Sequence, residues 1–567
     1  MRLLISLRPQ HRLLFQLIIA AGILIPFAAE APSSAAAATI QVPQDQPTIQ
    51  AAIDQATPGD TVLVSAGTYR ERITLKAGII VKSAGEETKG KLGLQRAEAT
   101  IIDGNFDGAE GPGVTMAEDA TIDGFTVTGV GEYDDEKWNK HHATHGEQQS
   151  HEHIGAPGTA GISVIGVTRC TVKNNIVHHI GYTGIAVMGE AGKRVAPHIF
   201  RNVTYRNMGG GIGSMKKSAA LIEENTCFEN FYAGIGHDDA SPLVISNVCY
   251  ENIRAGIGVS EHSKPIVRGN KCYRNRRAGI GIRTGKETQP IVEDNDCYEN
   301  DMAGIGTREE ASPIIRNNRC YRNKLAGIGS RTHATPTIIG NECYENEKAG
   351  IGQMSDAVTV LIGNYSHHNK RAGIGFDNST EGRSTVINNR VVDNALVAVG
   401  IHSGWTVQLS GNELSRQGGL PPIVMVFAGS EATFSDNVIR GGGVAGVRVA
   451  GTVHLNKNEF DGTSLRKVGP PNFAVWALPG ANVTMTANKV HGWRHALQGS
   501  EATVTANGNT ISQFHRAAFV IQKPASPANV YGNTAVSDDA NAKVVTIDGD
   551  SGIVENNKLV SEADKKP

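Results

Sequence analysis

Helical periodicity is almost missing from this chain, and so is any later apolar run long enough to cross a bilayer. Only 19% of the residues are charged and 5% aromatic. Long helical domains, which want Leu, Ala, Glu and Lys in a 3.6-residue period, are therefore excluded. Charge of one sign is also lacking: the formal net charge is −2. That gives no long-range field for nucleic acid, and this class of partner is set aside. Cysteine is sparse and odd in number at seven, so the even disulfide framework of a small exported domain does not apply.

What the chain has instead is glycine, 66 of them, and a strong repeat. With 567 residues it exceeds one compact globular core, and either several domains or a solenoid is expected. The first residues read as an export signal. Arg2, Arg8 and Arg12 precede an apolar stretch from Leu13 to Ala28, and small residues follow as far as Ala38. Residues 1–38 are assigned to this signal. No cysteine stands near it to carry a lipid, so the mature chain is expected to be periplasmic or extracellular, with no transmembrane anchor after cleavage.

A period of about 23 residues dominates residues 156–400. It runs Asn247-Val-Cys-Tyr, Asn270-Lys-Cys-Tyr, Asn295-Asp-Cys-Tyr, Asn318-Arg-Cys-Tyr and Asn341-Glu-Cys-Tyr. Each has a second Asn five residues on (Asn252, Asn275, Asn300, Asn323, Asn346), and then Ala-Gly-Ile-Gly. Three apolar columns recur: Val244, Val267, Val292 and Ile315; the cysteines; and Ile257, Ile280, Ile305 and Ile328. Segments this short suit strands, and three strands joined by bends make one coil. Stacked coils place equivalent strands about 4.8 Å apart in parallel pairing. The fold class predicted is all-β, a single-stranded right-handed parallel β-helix with three short strands per coil. The Asn columns are expected at the turns, tolerating left-handed backbone and bonding one another along the axis. Gly beside each Ile is expected to give the other bend its freedom. Pro242, Pro265, Pro290, Pro313 and Pro336 open strands where a missing N–H matters least.

Residues 39–155 hold an N-terminal cap and the first coils, with a short amphipathic helix carrying Ile49, Ala52 and Ile53 on one face. Residues 401–560 continue as less regular coils marked by Asn412, Asn437, Asn458, Asn488, Asn509, Asn533 and Asn557, and 561–567 is a tail expected to be disordered. The opening TIQVPQDQPTIQAAIDQATPGDTVLVSAGTYRERITL resembles the N-terminal part of pectin-lyase-like right-handed β-helix proteins. The Asn-rich coils look like the broad β-helix repeat class. That resemblance implies the fold over nearly all of the mature chain. It also brings in two of the class's roles, carbohydrate-active enzymes and periplasmic accessory proteins of copper-site maturation. Fold does not settle function.

Three features carry chemistry. Cys227, Cys249, Cys272, Cys297, Cys320 and Cys343 form one column, either as buried apolar filler, as a thiolate ladder for a soft metal such as Cu(I), or as disulfides. Residues 132–153 interrupt the repeat. They hold His141, His142, His145, His151 and His153, either a copper or zinc site or a solvated flexible loop, and too polar for ordinary buried histidines. After each Gly-Ile-Gly comes a line of Asp238, Ser260, Arg283, Arg308, Arg331, Met354 and Asp377, with His237, His262, Glu309, Glu310 and His333 nearby. Asp238, Arg283, Arg308, Arg331 and Asp377 are the glycan-binding candidates, since Arg suits bidentate carboxylate recognition; an exposed salt-bridged turn is the plain alternative. Asp238-Asp239 near Arg283 matches no trusted catalytic motif. The expectation is a β-helix that binds acidic polysaccharide or a cell-surface glycan along one face, needs no cofactor and is monomeric. The alternatives are a metal-handling accessory, a polysaccharide lyase or epimerase, and a purely structural spike.

Overall fold

Each repeat folds as one coil of three strands. After Asn225 these are Thr226–Phe228, Ile235–Asp238 and Leu243–Ile245. They pair in parallel with Val248–Tyr250, Ile257–Ser260 and Ile266–Arg268 of the next coil. The registers are those the columns predict: Val244 on Val267, Cys249 on Cys272, Ile257 on Ile280. The computed structural model describes residues 36–562 apart from 107, 151 and 464. Nearly all of the segment read as an export signal, most of the tail and His151 lie outside these residues. Among them, Ala38 onward forms one unit. Its chain winds right-handed, as parallel crossovers do, and builds three sheets. We call the sheet of Leu243–Ile245 the first, with 20 strands; that of Val248–Tyr250 the second; and that of Ile257–Ser260 the third.

Alternation sets the interior. Val244, Cys249 and Ile257 are fully buried, and between the sheets they leave one continuous apolar lumen. The N-terminal end is closed by helix α1, Ile49–Gln55, which buries Ile49, Ala52 and Ile53 against the first coil. Thr48 caps it and the Glu71 carboxylate accepts from the Ile49 and Gln50 N–H groups. Coils continue beyond residue 400 to the strand Lys558–Val560. Among the described residues no helix is long and apolar enough to cross a membrane.

The turns work differently from the expectation. The left-handed residue is the one before each Asn: Glu224 (φ 53°), Ser246 (φ 55°), Asp294 (φ 58°). This frees the Asn to point inward and join its neighbours. One file runs from Asn175 to Asn557 at the bend between the first and second sheets, and a second from Asn207 to Asn394 between the second and third. Gly279, the first glycine of its Ala-Gly-Ile-Gly, does not supply backbone freedom either. A Cβ there would lie 2.7 Å from Gly304 O and 2.8 Å from Asn300 Nδ2, so space alone excludes a side chain. The prolines stand where predicted, immediately before first-sheet strands, and their carbonyls accept from the next coil (Ile266 N to Pro242 O, 3.1 Å).

Outside the second sheet, Phe228, Tyr250, Tyr273, Tyr298, Tyr321 and Tyr344 stack with ring centroids 4.8 to 5.1 Å apart. Face meets face throughout, so only ring edges are presented to water.

Candidate binding face on the third sheet

The sequence after each Ile of Gly-Ile-Gly alternates in and out by strand geometry. In Ile280–Ile282 both Ile are buried and Gly281 faces out. The outward position is glycine in successive coils: Gly236, Gly258, Gly281, Gly306, Gly329, Gly352, Gly375. Two files of side chains flank this strip. The trailing file is the predicted line, and Arg283, Arg308 and Arg331 do stand on consecutive coils, each N–H bonded to the coil before (to Val259, Ile282 and Thr307 O, 3.0 Å each). His237 leaves this line. It points into the lumen, 3% exposed, with neither ring nitrogen bonded, and burial drives its pKa down to about 3.

The leading file precedes each Ala-Gly-Ile-Gly: Tyr232, Arg254, Arg277, Met302, Leu325, Lys348 and Arg371, stacked by the same coil-to-coil bonds. Arg254 and Arg277 escaped the sequence reading although the repeat alignment displays them one residue before Ala255 and Ala278. Arg254 lies over the Tyr232 ring at 4.5 Å and donates to Glu152 O. Arg277 donates to the side-chain and backbone oxygens of Gln149 (3.0 and 3.2 Å). Burial, followed by the charges of Arg254, Arg308, Arg283 and Arg331, pulls the Arg277 pKa down to about 10. The five guanidiniums therefore share one field across the glycine strip. Arg308 has Glu309 at 3.2 Å and Arg331 has Glu147 at 3.4 Å, whereas Arg254, Arg277 and Arg283 have no carboxylate partner among the described residues. At the ends of the trailing file, Asp238 has its pKa raised by burial and then by Glu261 and Asp239, and Asp377 closes the line.

The insertion 132–153 is a packed strap, which corrects the flexible-loop expectation. Helix α2 is Gln95–Ala99, and within the insertion α3 spans Asp135–His142, capped by Asp134. Trp138 is fully buried against Met208, Phe231 and Ile253 and donates to Glu229 O at 3.1 Å. One large apolar side chain thus anchors a stretch whose average polarity reads as solvent-exposed. His141 is 5% exposed, edge-on to Phe231, so an ordinary buried histidine does occur here. His142 stacks on Trp138 and accepts from Arg276 at 3.0 Å. His145 pairs with Asp301 and also faces Arg276, and His153 bonds the Tyr232 hydroxyl. The Arg276 guanidinium between His142 and His145 disfavours a cation there, and among the described residues no three His, Cys, Asp or Glu side chains gather as a metal-holding group. The strap runs on along the leading file, bringing Gln149, Glu152 and Glu147 to the arginines.

The six column cysteines are free and fully buried, as is Cys170 nearly so. Burial pushes the Cys249, Cys297 and Cys343 thiols well up, which keeps them protonated.

Residues 149–295 and 281–414 match the family model described as the right handed beta helix region. No curated protein matches the chain by sequence. Among solved structures, a periplasmic alginate epimerase AlgG is 13% identical, over 67% of this chain and 83% of that one, with a TM-score of 0.39. The A-module of the Azotobacter vinelandii mannuronan C-5 epimerase AlgE6 is 15% identical over 82% and 94%, with a TM-score of 0.29. The Dettilon tailspike protein is 12% identical over 70% and 68%, with a TM-score of 0.35. The family match covers the most regular coils, those before and after it repeat their three-strand winding, and the chain has the fold of a right-handed parallel β-helix.

Proposed function

We propose that the outer face of the third sheet binds an acidic polysaccharide whose carboxylates seat on Arg254, Arg277, Arg283, Arg308 and Arg331. The observation that carries this reading is the convergence of five guanidiniums on one strip, three of them without a carboxylate partner among the described residues. Like charges on one face repel one another, and Arg254, Arg277 and Arg308 are partly desolvated besides, so an anionic ligand is favoured by every pair it neutralises. Coil spacing of about 4.8 Å is close to the length of one sugar unit, which keeps the sugar repeat in step with the coils. The test is calorimetric titration of a polyuronate into wild type and into the Arg277→Gln/Arg283→Gln/Arg308→Gln variant. Loss of about a hundred-fold in affinity is expected from three charge-assisted contacts. Unchanged binding overturns the reading.

A second reading, a polysaccharide lyase or epimerase, is favoured by one further group. The Tyr232 hydroxyl meets His153 Nδ1 beside Arg254 at the end of the strip. Burial holds the Tyr232 phenol above its ordinary range, so at neutral pH it is a proton donor beside an imidazole. An unsaturated uronate product, seen by its ultraviolet absorbance and lost in Tyr232→Phe, supports a lyase; inversion at C5 without that absorbance supports an epimerase.

A further inference from the structure

Two files of arginine, one on each side of a flat strip, carry more information than a single basic patch. On the trailing side stand Arg283, Arg308 and Arg331, and on the leading side Arg254 and Arg277, offset by one coil. Between them the floor carries only glycine hydrogens and the small methyls of Ala255, Ala278 and Ala303. That flatness is not demanded by packing. A Cβ on Gly281 would meet Ala255 Cβ at 3.7 Å, one on Gly306 would meet Ala278 Cβ at 3.9 Å, and one on Gly236 would meet nothing within 4 Å. Those are ordinary contacts or open space, unlike the 2.7 Å clash at the inward Gly279. None of the outward glycines at 236, 258, 281, 306 and 329 has positive φ. Glycine weakens a strand interior, so its use at these positions leaves room for something that lies directly on the backbone.

Resting on the anionic-glycan reading above, we infer that the polymer is a flat, 1,4-linked polyuronate with both linkage bonds equatorial, lying along the axis between the two arginine files. In such a chain successive rings are turned over, which flattens it into a ribbon and puts successive carboxylates on opposite edges. Opposed cations on both sides of a smooth floor complement that ribbon. A chain with axial linkages is buckled or twisted, and it presents its carboxylates around a helix. It reaches one file while lifting off the floor.

The test compares two hexamers of equal charge, β-1,4-linked glucuronate and α-1,4-linked galacturonate, by calorimetry on the full chain. The glucuronate hexamer is expected to bind at least about ten-fold more tightly. Gly306→Val raises the floor and is expected to cost the glucuronate hexamer about ten-fold while leaving the galacturonate affinity within about two-fold. Should Gly306→Val fold poorly by thermal melt, Gly306→Ala serves, its Cβ having room. Equal affinities for the two hexamers, or a floor variant without effect, overturn the ribbon inference and leave the anionic reading standing. Failure of both hexamers to bind, or binding indifferent to Arg283→Gln, overturns the anionic reading itself.

Discussion

Asn270 donates both its backbone N–H and its side-chain amide to Oδ1 of Asn295, each at 2.9 Å. Asn295 makes the same pair of bonds to Asn318 and donates besides to Val267 O at 2.9 Å. One buried amide thus serves two donors and a carbonyl of the coil before and an acceptor of the coil after. Replacing Asn295 by Ala strands these partners out of reach of water. At 1–3 kcal/mol for a typical buried unsatisfied group, the loss is about 3 kcal/mol or more. A urea midpoint unchanged from wild type would contradict this role.

Acid is expected to weaken the fold from about pH 6.5 downward. Burial and then His179 depress the His178 pKa to about 4, and burial alone depresses His237 to about 3. Both imidazoles are neutral in the folded chain, whereas the unfolded chain takes up protons below about pH 6.5. Their contribution is complete above that pH and is lost as pH falls toward the folded values. His237→Val puts the side chain of the next coil's Val259 in its place. Its melting temperature should fall less steeply than wild type between pH 6.5 and 4; equal slopes refute the assignment.

Asp238 has the opposite sign. Its pKa is raised by burial and by Glu261 and Asp239, so ionisation opposes the folded state. Stability from this group is present below the unfolded pKa and declines as pH rises through the folded one. Asp238→Asn is therefore expected to raise the melting temperature at pH 7 and to leave it unchanged at pH 3, a comparison that differential scanning calorimetry makes directly.

Glu147 on the strap is the carboxylate that faces Arg331. Exposed pairs of this kind are worth about 1 kcal/mol or less. Glu147→Gln should thus tighten polyuronate binding by up to about five-fold, with the gain fading in high salt. Weaker binding would mean that Glu147 supports the site rather than competing for it.

The seven thiols are buried and free. Native protein should take up essentially no alkylating reagent over hours, and denatured protein seven equivalents by mass. Prompt labelling of the native chain would place a thiolate at the surface.

The coils were legible because stacking turns sequence period into spatial column: Val244, Cys249 and Ile257 sit on their predicted partners. Arg283, Arg308 and Arg331 were legible for the same reason. Arg254 and Arg277 stand in the same alignment, but their importance depends on distance across a strand, which a column does not display. The strap was misread because polarity averaged over residues 132–153 hides Trp138, whose burial depends on Met208, Phe231 and Ile253 far along the chain. The Asn files were expected, but the left-handed turn residue is one position earlier, since an inward-facing amide and a turning backbone are better supplied by two residues than by one.

The stacked rings from Phe228 to Tyr344 have an optical meaning. Six aromatic chromophores in a single chiral file, close enough for their transition dipoles to couple, make the near-ultraviolet circular dichroism of this protein a collective property of the coils and not a sum over side chains. Interplanar angles of 6–8° persist only while every coil keeps its neighbour, so the band reports the winding of the central solenoid without any label.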